Sequence, residues 1–490
     1  MSLYGGIELP GKPSPDNIRK LDTMIIPQLN RMSRYGIAVD IDHLNQLSVE
    51  FGKKKDDLQK EISSYVPKED LDKFVEESNR IEYGPEESDD EPDFDWEINA
   101  SSADQIRVLL FDVCKIGKGK KLKVTSTGEL STGKKNMDIC REDHPVVPLV
   151  MQYREYSKLK SSFADALPKK ARFHPAGKGC PLCELDHVES TNRLHTTFTT
   201  TRAVTGRLAS KSPNLQQIPL RTPEGSRIRQ AFMASKGTRL VSVDFSQMEI
   251  RDLAHLANAT SMINVYRDDG DIHLNTAMKA FGIDDPELVD KYKHRLPAKR
   301  TNFGIQNGTT GTGLFAQLVG DYWASGKKPP EYMTKEWCDR FIVEWHDIYP
   351  EVQPYFDTQY YRARRYGFVW NEFGRTRWIP QVRSTLPYKV HEGLREAQNF
   401  SVTSSNAEQT KLAMAECEEL FLESGVWSWP LLSIHDQVIA EVEEDYADVI
   451  GDEMVRIFEE CMVDRQTGKD LWRCPIKAEC EILERWKAKE

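Results

Sequence analysis

A mixed α/β fold is predicted, and three kinds of stretch predict it. Residues 240–257, LVSVDFSQMEIRDLAHLA, open with Val241 and Val243 alternating with small or polar residues in a β-rich run. They continue with Met248, Ile250, Leu253, Ala254 and Leu256 at helical spacing. Much later, Leu431, Leu432 and Ile434 lead to His435-Asp436, and Val438 and Ala440 resume the alternation, which is the pattern of a hairpin with Asp436 at its tip. Long helical patterns fill much of the rest, with two helices expected across 17–65 and one over about 390–422.

The two strand patterns share a chemical feature. Asp244 falls where strand becomes helix, a position costly for a lone buried carboxylate and well suited to holding a hard cation through oxygen. Asp436 supplies a second carboxylate. Two aspartates on neighbouring strands of one sheet can clamp a pair of Mg²⁺ ions about 4 Å apart, which activates an attacking oxygen and neutralises a leaving pyrophosphate. Taken singly, each Asp also reads as a turn former or helix cap.

Composition bounds the class. With 490 residues, 39% hydrophobic and 29% charged, the chain is long enough for roughly three domains and a generous core. No signal peptide or uninterrupted apolar run of membrane-spanning length is present, so a cytoplasmic protein is expected, in a host cytoplasm if it is viral. Nine cysteines at irregular spacing suit a reducing compartment better than a disulfide framework. The formal net charge of -11 does not exclude a nucleic-acid partner, because attraction depends on where charges lie rather than on their sum.

In chain order, Leu21, Ile25, Leu29, Leu44, Leu47 and Val49 mark the first two helices, broken at Tyr35-Gly36. An acid-crowded run at 68–97 reads as a solvated loop or a docking arm. Asn99-Ala100-Ser101-Ser102 then caps a helix through Leu109 and Leu110, since Asn and Ser accept the free N–H groups at its start. Between 115 and 135 the charge inverts: Lys115, Lys118, Lys120, Lys121, Lys123, Lys134 and Lys135 stand among Gly, Ser and Thr. Such a segment can follow phosphates without reading bases. Tyr153, Arg154, Tyr156, Lys158 and Lys160 continue the pattern on a helix, where aromatic and basic residues are expected beside a duplex. Cys180 and Cys183 have the gap that lets two thiolates reach one Zn²⁺, with His174, His187 or His195 able to complete a tetrahedral site; the other reading is a reduced surface loop. Arg221, Arg227 and Arg229 add positive charge ahead of the catalytic stretch.

Asp244-Phe245-Ser246-Gln247-Met248-Glu249-Ile250-Arg251 resembles the first catalytic motif of the A-family, Pol I-like DNA polymerases, and Ile434-His435-Asp436 resembles the third. Between them Arg295-Leu296-Pro297-Ala298-Lys299-Arg300-Thr301-Asn302-Phe303-Gly304 is similar to the family's fingers-helix motif. Upstream, Thr205-Gly206-Arg207-Leu208 and Pro213-Asn214-Leu215-Gln216-Gln217-Ile218-Pro219 resemble its template-primer segment. Four motifs in the family's order are far more specific than any one of them. The chain thus resembles a phage-type member without a proofreading exonuclease domain. The resemblance implies a right-hand polymerase with palm, fingers and thumb, a primer-template DNA partner, deoxynucleoside triphosphate substrates and two Mg²⁺ ions.

Carried over by motif, Asp244, Asp436 and Lys299 would be catalytic, with Asp244, Asp436 and the Phe245 carbonyl on metal. Arg295, Phe303, Glu249, His273, Gln247 and Asn307 would face the incoming nucleotide. Arg207 would serve the primer terminus or incoming phosphate, Asn214 and Gln216 the primer or template, and Arg395, Gln398 and His435 the nascent pair and its template. Glu249 would refuse a 2′ hydroxyl by occupying its space, its alternative being a salt bridge to Arg251 or Lys279. Arg295, Lys299, Phe303 and Asn307 recur every four residues, so one helical face is expected to carry all four. Pro297 near that helix's start costs little.

Three departures from the family pattern stand out. Asn307 replaces a Tyr that closes the pocket, Gln437 replaces a Glu after the Asp, and Thr403 replaces a Gln. The layout implied is a palm-proximal segment at 1–40, a thumb at 41–165, palm at 166–260 with a CxxC insertion at 174–187, fingers at 261–425, and palm again at 426–490. Template-directed DNA synthesis is the reading this supports. Its alternatives are a DNA-binding scaffold that has lost turnover, and an RNA polymerase or reverse transcriptase of similar architecture, the former opposed by Glu249.

Overall fold

The structure, a computed structural model, describes residues 3–67, 74, 97–185, 187, 189–219 and 222–486. The acidic run at 68–97, save Phe74 and Glu97, and Arg221 lie outside the described residues. Two compact units emerge: one of residues 1–40, 170–318 and 330–490, the other of 41–169 and 319–329.

The larger unit is built on a four-stranded antiparallel sheet in the order Ser428–Ile434, Gln437–Glu443, Thr238–Phe245, Ala478–Leu483. Its central strand reads TRLVSVDF and is buried along most of its length, as a strand covered on both faces must be. Helix Ala447–Glu459 packs on one face through Ile450, Met454 and Ile457. Gly451 allows that approach, since a Cβ there would fall 2.9 Å from Cys480 Sγ. Helix Pro387–Glu423 is longer than the expected 390–422 by a few residues, and its middle is buried almost all round. A second antiparallel sheet runs Arg172–His174, Thr191–Leu194, Ile37–Val39, Phe232–Met233.

Across 17–65 three helices stand where two were expected: Pro15–Met24, Ile26–Tyr35 and Ile41–Ser63. Pro27 in the first turn of the second helix explains the extra break, because it has no N–H to give the preceding turn. The short strand Ile37–Val39 fills the interval after Tyr35.

In the smaller unit Ser102 caps helix Ala103–Arg107 as its sequence implied, its hydroxyl accepting from the Gln105 N–H. The expectation for Tyr153 is corrected. It shares a helical face with Val146 and Val150, at i+7 and i+3, and is buried in the core with Leu58, Ile106 and Leu110. Its hydroxyl meets Ser101 and Gln59 instead of a duplex. Lys160, in the turn that ends this helix, is tied to Asp165. The lysines between 115 and 135 are all exposed.

The two sheets of the larger unit are joined by a buried ion pair. Arg193 donates to Glu441 at 2.7 Å, with both side chains fully buried. Burial alone would raise the Glu441 carboxyl, but the Arg193 guanidinium and the Ser235 N–H hold it below the usual range. Glu441→Gln leaves a buried uncompensated guanidinium and is expected to cost about 3–5 kcal/mol, read as a lower urea midpoint. A lowered carboxylate pKa stabilises above the unfolded value of about 4.3, and that stabilisation is lost as pH falls through the folded value. The gap between parent and variant should therefore narrow below about pH 4; equal urea midpoints at pH 7 would refute the assignment.

Candidate active site

Gln437 stands directly opposite Asp244 in the sheet register, which puts Asp436, one residue earlier, at the mouth of the same strand pair. The Phe245 N–H donates to the Asp436 carbonyl at 3.5 Å. His435 holds a left-handed backbone, φ 58°, at a place where glycine is usual. A side chain there costs about 1–2 kcal/mol, strain of the kind that collects at functional turns. Phe245 turns its ring to the opposite face, buried 4.6 Å from Phe458, so only its backbone faces the Asp244 side. Across the other edge of the central strand Glu479 is in register with Asp244. This third carboxylate was missed, and the alternation of AECEIL was its sequence signal.

Burial pushes the Asp436 carboxyl above its ordinary range; Arg207 pulls it down and Glu249 adds to the rise. Arg229, itself lowered to about 10 by burial, feels the charge of Asp244. Asp244 near the end of one strand and Asp436 in the turn that leads into its neighbour bring carboxylates to one end of the sheet, and such hard oxygen donors fit a divalent cation of the Mg²⁺ class.

Glu249, on helix Met248–Leu256, accepts from the Arg207 guanidinium with one oxygen and from the Gln306 amide with the other. Its expected alternatives, Arg251 and Lys279, are corrected. At i+2 Arg251 points away from Glu249, donating to the Ser246 and Pro475 carbonyls, and Lys279 lies over the Tyr349 ring. Gln247 stands just before the helix start at φ 55° without capping it, its side-chain oxygen accepting from the Tyr266 hydroxyl instead. Gln306 was not singled out in the sequence.

Helix Leu296–Ile305 carries Lys299, exposed, and Phe303, half-buried with its ring 5.2 Å from His273. Arg295 closes the turn that precedes it and donates to Asp271 at 2.5 Å. Of the four residues expected on one helical face, Asn307 stands in the turn just beyond the helix's last residue, Ile305. Gly308, at φ 61°, ends the helix in a left-handed turn, and Asn307 folds back to donate to the Phe303 carbonyl. Asp271 also caps helix Ile272–Phe281 through the N–H groups of His273 and Leu274. Burial lowers His273 to about 4, opposed by Asp271 and assisted by Arg295 and Lys299. The Asn302 amide donates to its Nδ1 while the Asn302 oxygen accepts from Trp345, so the neutral ring keeps its proton on Nε2, ready to donate.

Several expected DNA contacts have their polar atoms committed inside the chain. Asn214 caps a short turn, and Gln216 spans the Ser210 N–H and the Ser433 carbonyl. Gln398 is buried, bonded to the Ile305 carbonyl and the Tyr360 hydroxyl. Gln398 and Arg395 line a cavity of about 870 Å³ with Ile305, Gly308, Phe356 and Tyr360. His435 is exposed at the hairpin tip. His174, Cys180, Cys183 and His187 come together as a separate cluster, and His195 lies behind it.

The family model described as DNA polymerase family A matches residues 71–488. A thermostable DNA polymerase I of Thermus thermophilus is 32% identical over 460 residues, covering 94% of this chain and 47% of its own. One from Thermus filiformis is 37% identical over 351 residues, 72% of this chain and 38% of its own. A DNA polymerase I of Pseudomonas aeruginosa is 30% identical over 431 residues, 88% and 40%. The chain thus spans about half the length, or less, of the curated relatives it matches. Among solved structures, the POL domain of Pol1 from M. smegmatis, in complex with DNA primer-template and dNTP, has the same fold: TM-score 0.76, 24% identity, 96% of this chain and 72% of that one.

Proposed function

The chain belongs to DNA polymerase family A, and from that premise we propose that it extends a DNA primer on a DNA template with deoxynucleoside triphosphates. The observation that carries the proposal is the placement of Asp244 at a strand end and of Asp436 in the turn entering the adjacent strand, together with a Glu249 clamped by Arg207 and Gln306. Family A polymerases use divalent metal ions, and here two Mg²⁺ held by Asp244, Asp436 and the Phe245 carbonyl would activate the primer 3′ oxygen and neutralise the departing pyrophosphate. Arg295 and Lys299 supply preplaced positive charge for the triphosphate, Arg295 being already oriented by Asp271. The Nε2 proton of His273 adds a neutral donor to the same phosphates. Phe303 takes the face of the sugar or base, Glu249 occupies the space of a 2′ hydroxyl, and Gln247 and Asn307 complete the nucleotide's surroundings.

Arg207, Asn214, Gln216, Arg395, Gln398 and His435 receive the primer-template. The internal bonds of Asn214, Gln216 and Gln398 give them positioning roles, and the cavity beside Arg395 and Gln398 has room for an unpaired template nucleotide. In this reading 41–165 is the thumb, 166–260 and 426–490 the palm, 261–425 the fingers, and 1–40 a palm-proximal segment. The exposed lysines of 115–135 follow duplex phosphates. No helix among the described residues is long and apolar enough to cross a membrane. Work in the cytoplasm agrees with nine cysteines of which none forms a disulfide.

The test is primer extension on four templates differing in the first unpaired base, each offered one dNTP at a time. Addition should require the complementary nucleotide. Addition that ignores the template, or none at all, contradicts the proposal.

A further inference from the structure

We propose that His174, Cys180, Cys183 and His187 hold one structural Zn²⁺ ion that fastens the loop after strand Arg172–His174 to the end of helix Ile26–Tyr35. The loop closes on itself: Gly177 and His187 exchange backbone hydrogen bonds of 2.9 and 3.0 Å, and the Cys180-Pro181-Leu182-Cys183 turn is drawn in by Glu184 N–H to the Cys180 carbonyl at 2.7 Å. Cys180 Sγ then stands 3.3 Å from His174 Nδ1, and Cys183 Sγ stands 3.6 Å from that nitrogen and 3.0 Å from His187 Nε2. All four ligand atoms lie within 4.8 Å of one another. Tetrahedral Zn²⁺, with Zn–S about 2.3 Å and Zn–N about 2.0–2.1 Å, needs ligand atoms roughly 3.3–3.8 Å apart.

What the loop buries is as telling as the distances. Among the described residues of 175–190, Cys180, Cys183 and His187 are the buried ones, while Leu182 is 47% exposed. Among its described residues the loop therefore has no apolar core of its own to repay the ordering of its backbone, and a metal bond would supply that stabilisation.

Proton placement points the same way. The Ser33 carbonyl can only accept, so His195 Nδ1, 3.0 Å away, carries a proton. In the neutral ring His195 Nε2 is then an acceptor, and His174 Nε2, 2.9 Å away, must donate to it. This leaves the lone pair of His174 on Nδ1, facing both sulfurs. A ligand imidazole steadied through its far nitrogen is the usual arrangement around zinc. Two sulfurs and two nitrogens in tetrahedral reach select Zn²⁺ over Mg²⁺ or Ca²⁺, and a closed set of four leaves no position for substrate.

The site grips three consecutive residues of the helix end. Ser33 receives His195, Arg34 donates to the Cys183 carbonyl at 3.2 Å and Glu184 at 2.6 Å, and the Tyr35 ring stacks on His187 with centroids 5.7 Å apart. Gly36 makes the approach possible, because a Cβ there would fall 2.6 Å from the Leu194 carbonyl.

The test is metal content of the whole chain, purified with zinc in the growth medium and dialysed against excess Mg²⁺. One Zn²⁺ per chain is expected, retained in Asp244→Ala and absent in Cys180→Ser/Cys183→Ser. X-ray absorption of the parent should show sulfur and nitrogen neighbours in equal number, a result that stands even if the double variant fails to fold. Chelator should lower the melting temperature of the parent and leave that of a folded double variant unchanged. Substoichiometric zinc, a Cys180–Cys183 disulfide in the purified chain, or full zinc in the double variant would overturn the proposal.

Discussion

Asp244→Ala and Asp436→Ala should each lower templated nucleotide addition by about 10³-fold or more, with duplex affinity within a few-fold of the parent. The expectation rests on what the two carboxylates touch. They sit at one end of the sheet, Asp244 on a strand and Asp436 on the adjoining turn strained at His435, and the neutral Gln437, whose amide donates to Ser242 at 2.8 Å, supplies no replacement charge. In the proposed role either loss would remove charge that matters most in the transition state, whereas affinity for a duplex would come from phosphate contacts spread over many basic residues. Anisotropy with labelled primer-template and single-turnover incorporation separate the two quantities. Near-normal turnover in either variant would remove that residue from the metal site. Glu479→Ala provides a graded comparison: it is opposite Asp244 but exposed, and a smaller loss is expected.

Phe303→Tyr should raise incorporation of dideoxynucleotides relative to deoxynucleotides by about 10²-fold. Phe303 has no hydroxyl, so a pocket built around it relies on the substrate's own 3′ hydroxyl for that hydrogen bond, and a phenol would replace it. Glu249→Ala should admit ribonucleotides at some expense in rate, since it also releases Arg207 and Gln306 from their shared carboxylate. Gln306→Ala should relax the same selectivity in part, because it frees one of the two oxygens that fix Glu249. Matched deoxy, dideoxy and ribo substrates in single-nucleotide incorporation read all three. An unchanged deoxy-to-dideoxy ratio in Phe303→Tyr would mean that Phe303 does not face the sugar, and the roles given to Lys299 and Arg295 beside it would fall too.

Much of this was legible in the sequence because it is local. A β-rich run turning helical at Asp244 and a hairpin at Asp436 are matters of period and turn chemistry, and both strands and both carboxylates are where those signals put them. The helix over 296–305 was legible through its motif and the four-residue recurrence of its side chains, and Asn307 lies in the turn just past it that Gly308, at positive φ, closes. What could not be read was partnership across long separations. The salt-bridge alternative for Glu249 names Arg251 or Lys279, while the fold brings it Arg207 and Gln306. Tyr153 looked like a DNA-facing aromatic because its basic neighbours were weighed above its i+3 and i+7 relation to Val150 and Val146. The cysteine–histidine group was legible as half a signature with three candidate histidines, and the bridge between Gly177 and His187 selects His187 beside His174, which spacing does not encode.

The central claim is that Asp244 and Asp436 act together through divalent cations in templated nucleotide transfer. Its most direct measurement is the rate of single-nucleotide incorporation as Mg²⁺ is titrated from a chelated baseline, for the parent and for Asp436→Asn. The account predicts no addition without Mg²⁺, a saturable rise in the parent, and a curve for Asp436→Asn displaced to higher Mg²⁺ with a much lower plateau. Superimposable curves, or templated addition in the presence of excess chelator, would contradict it.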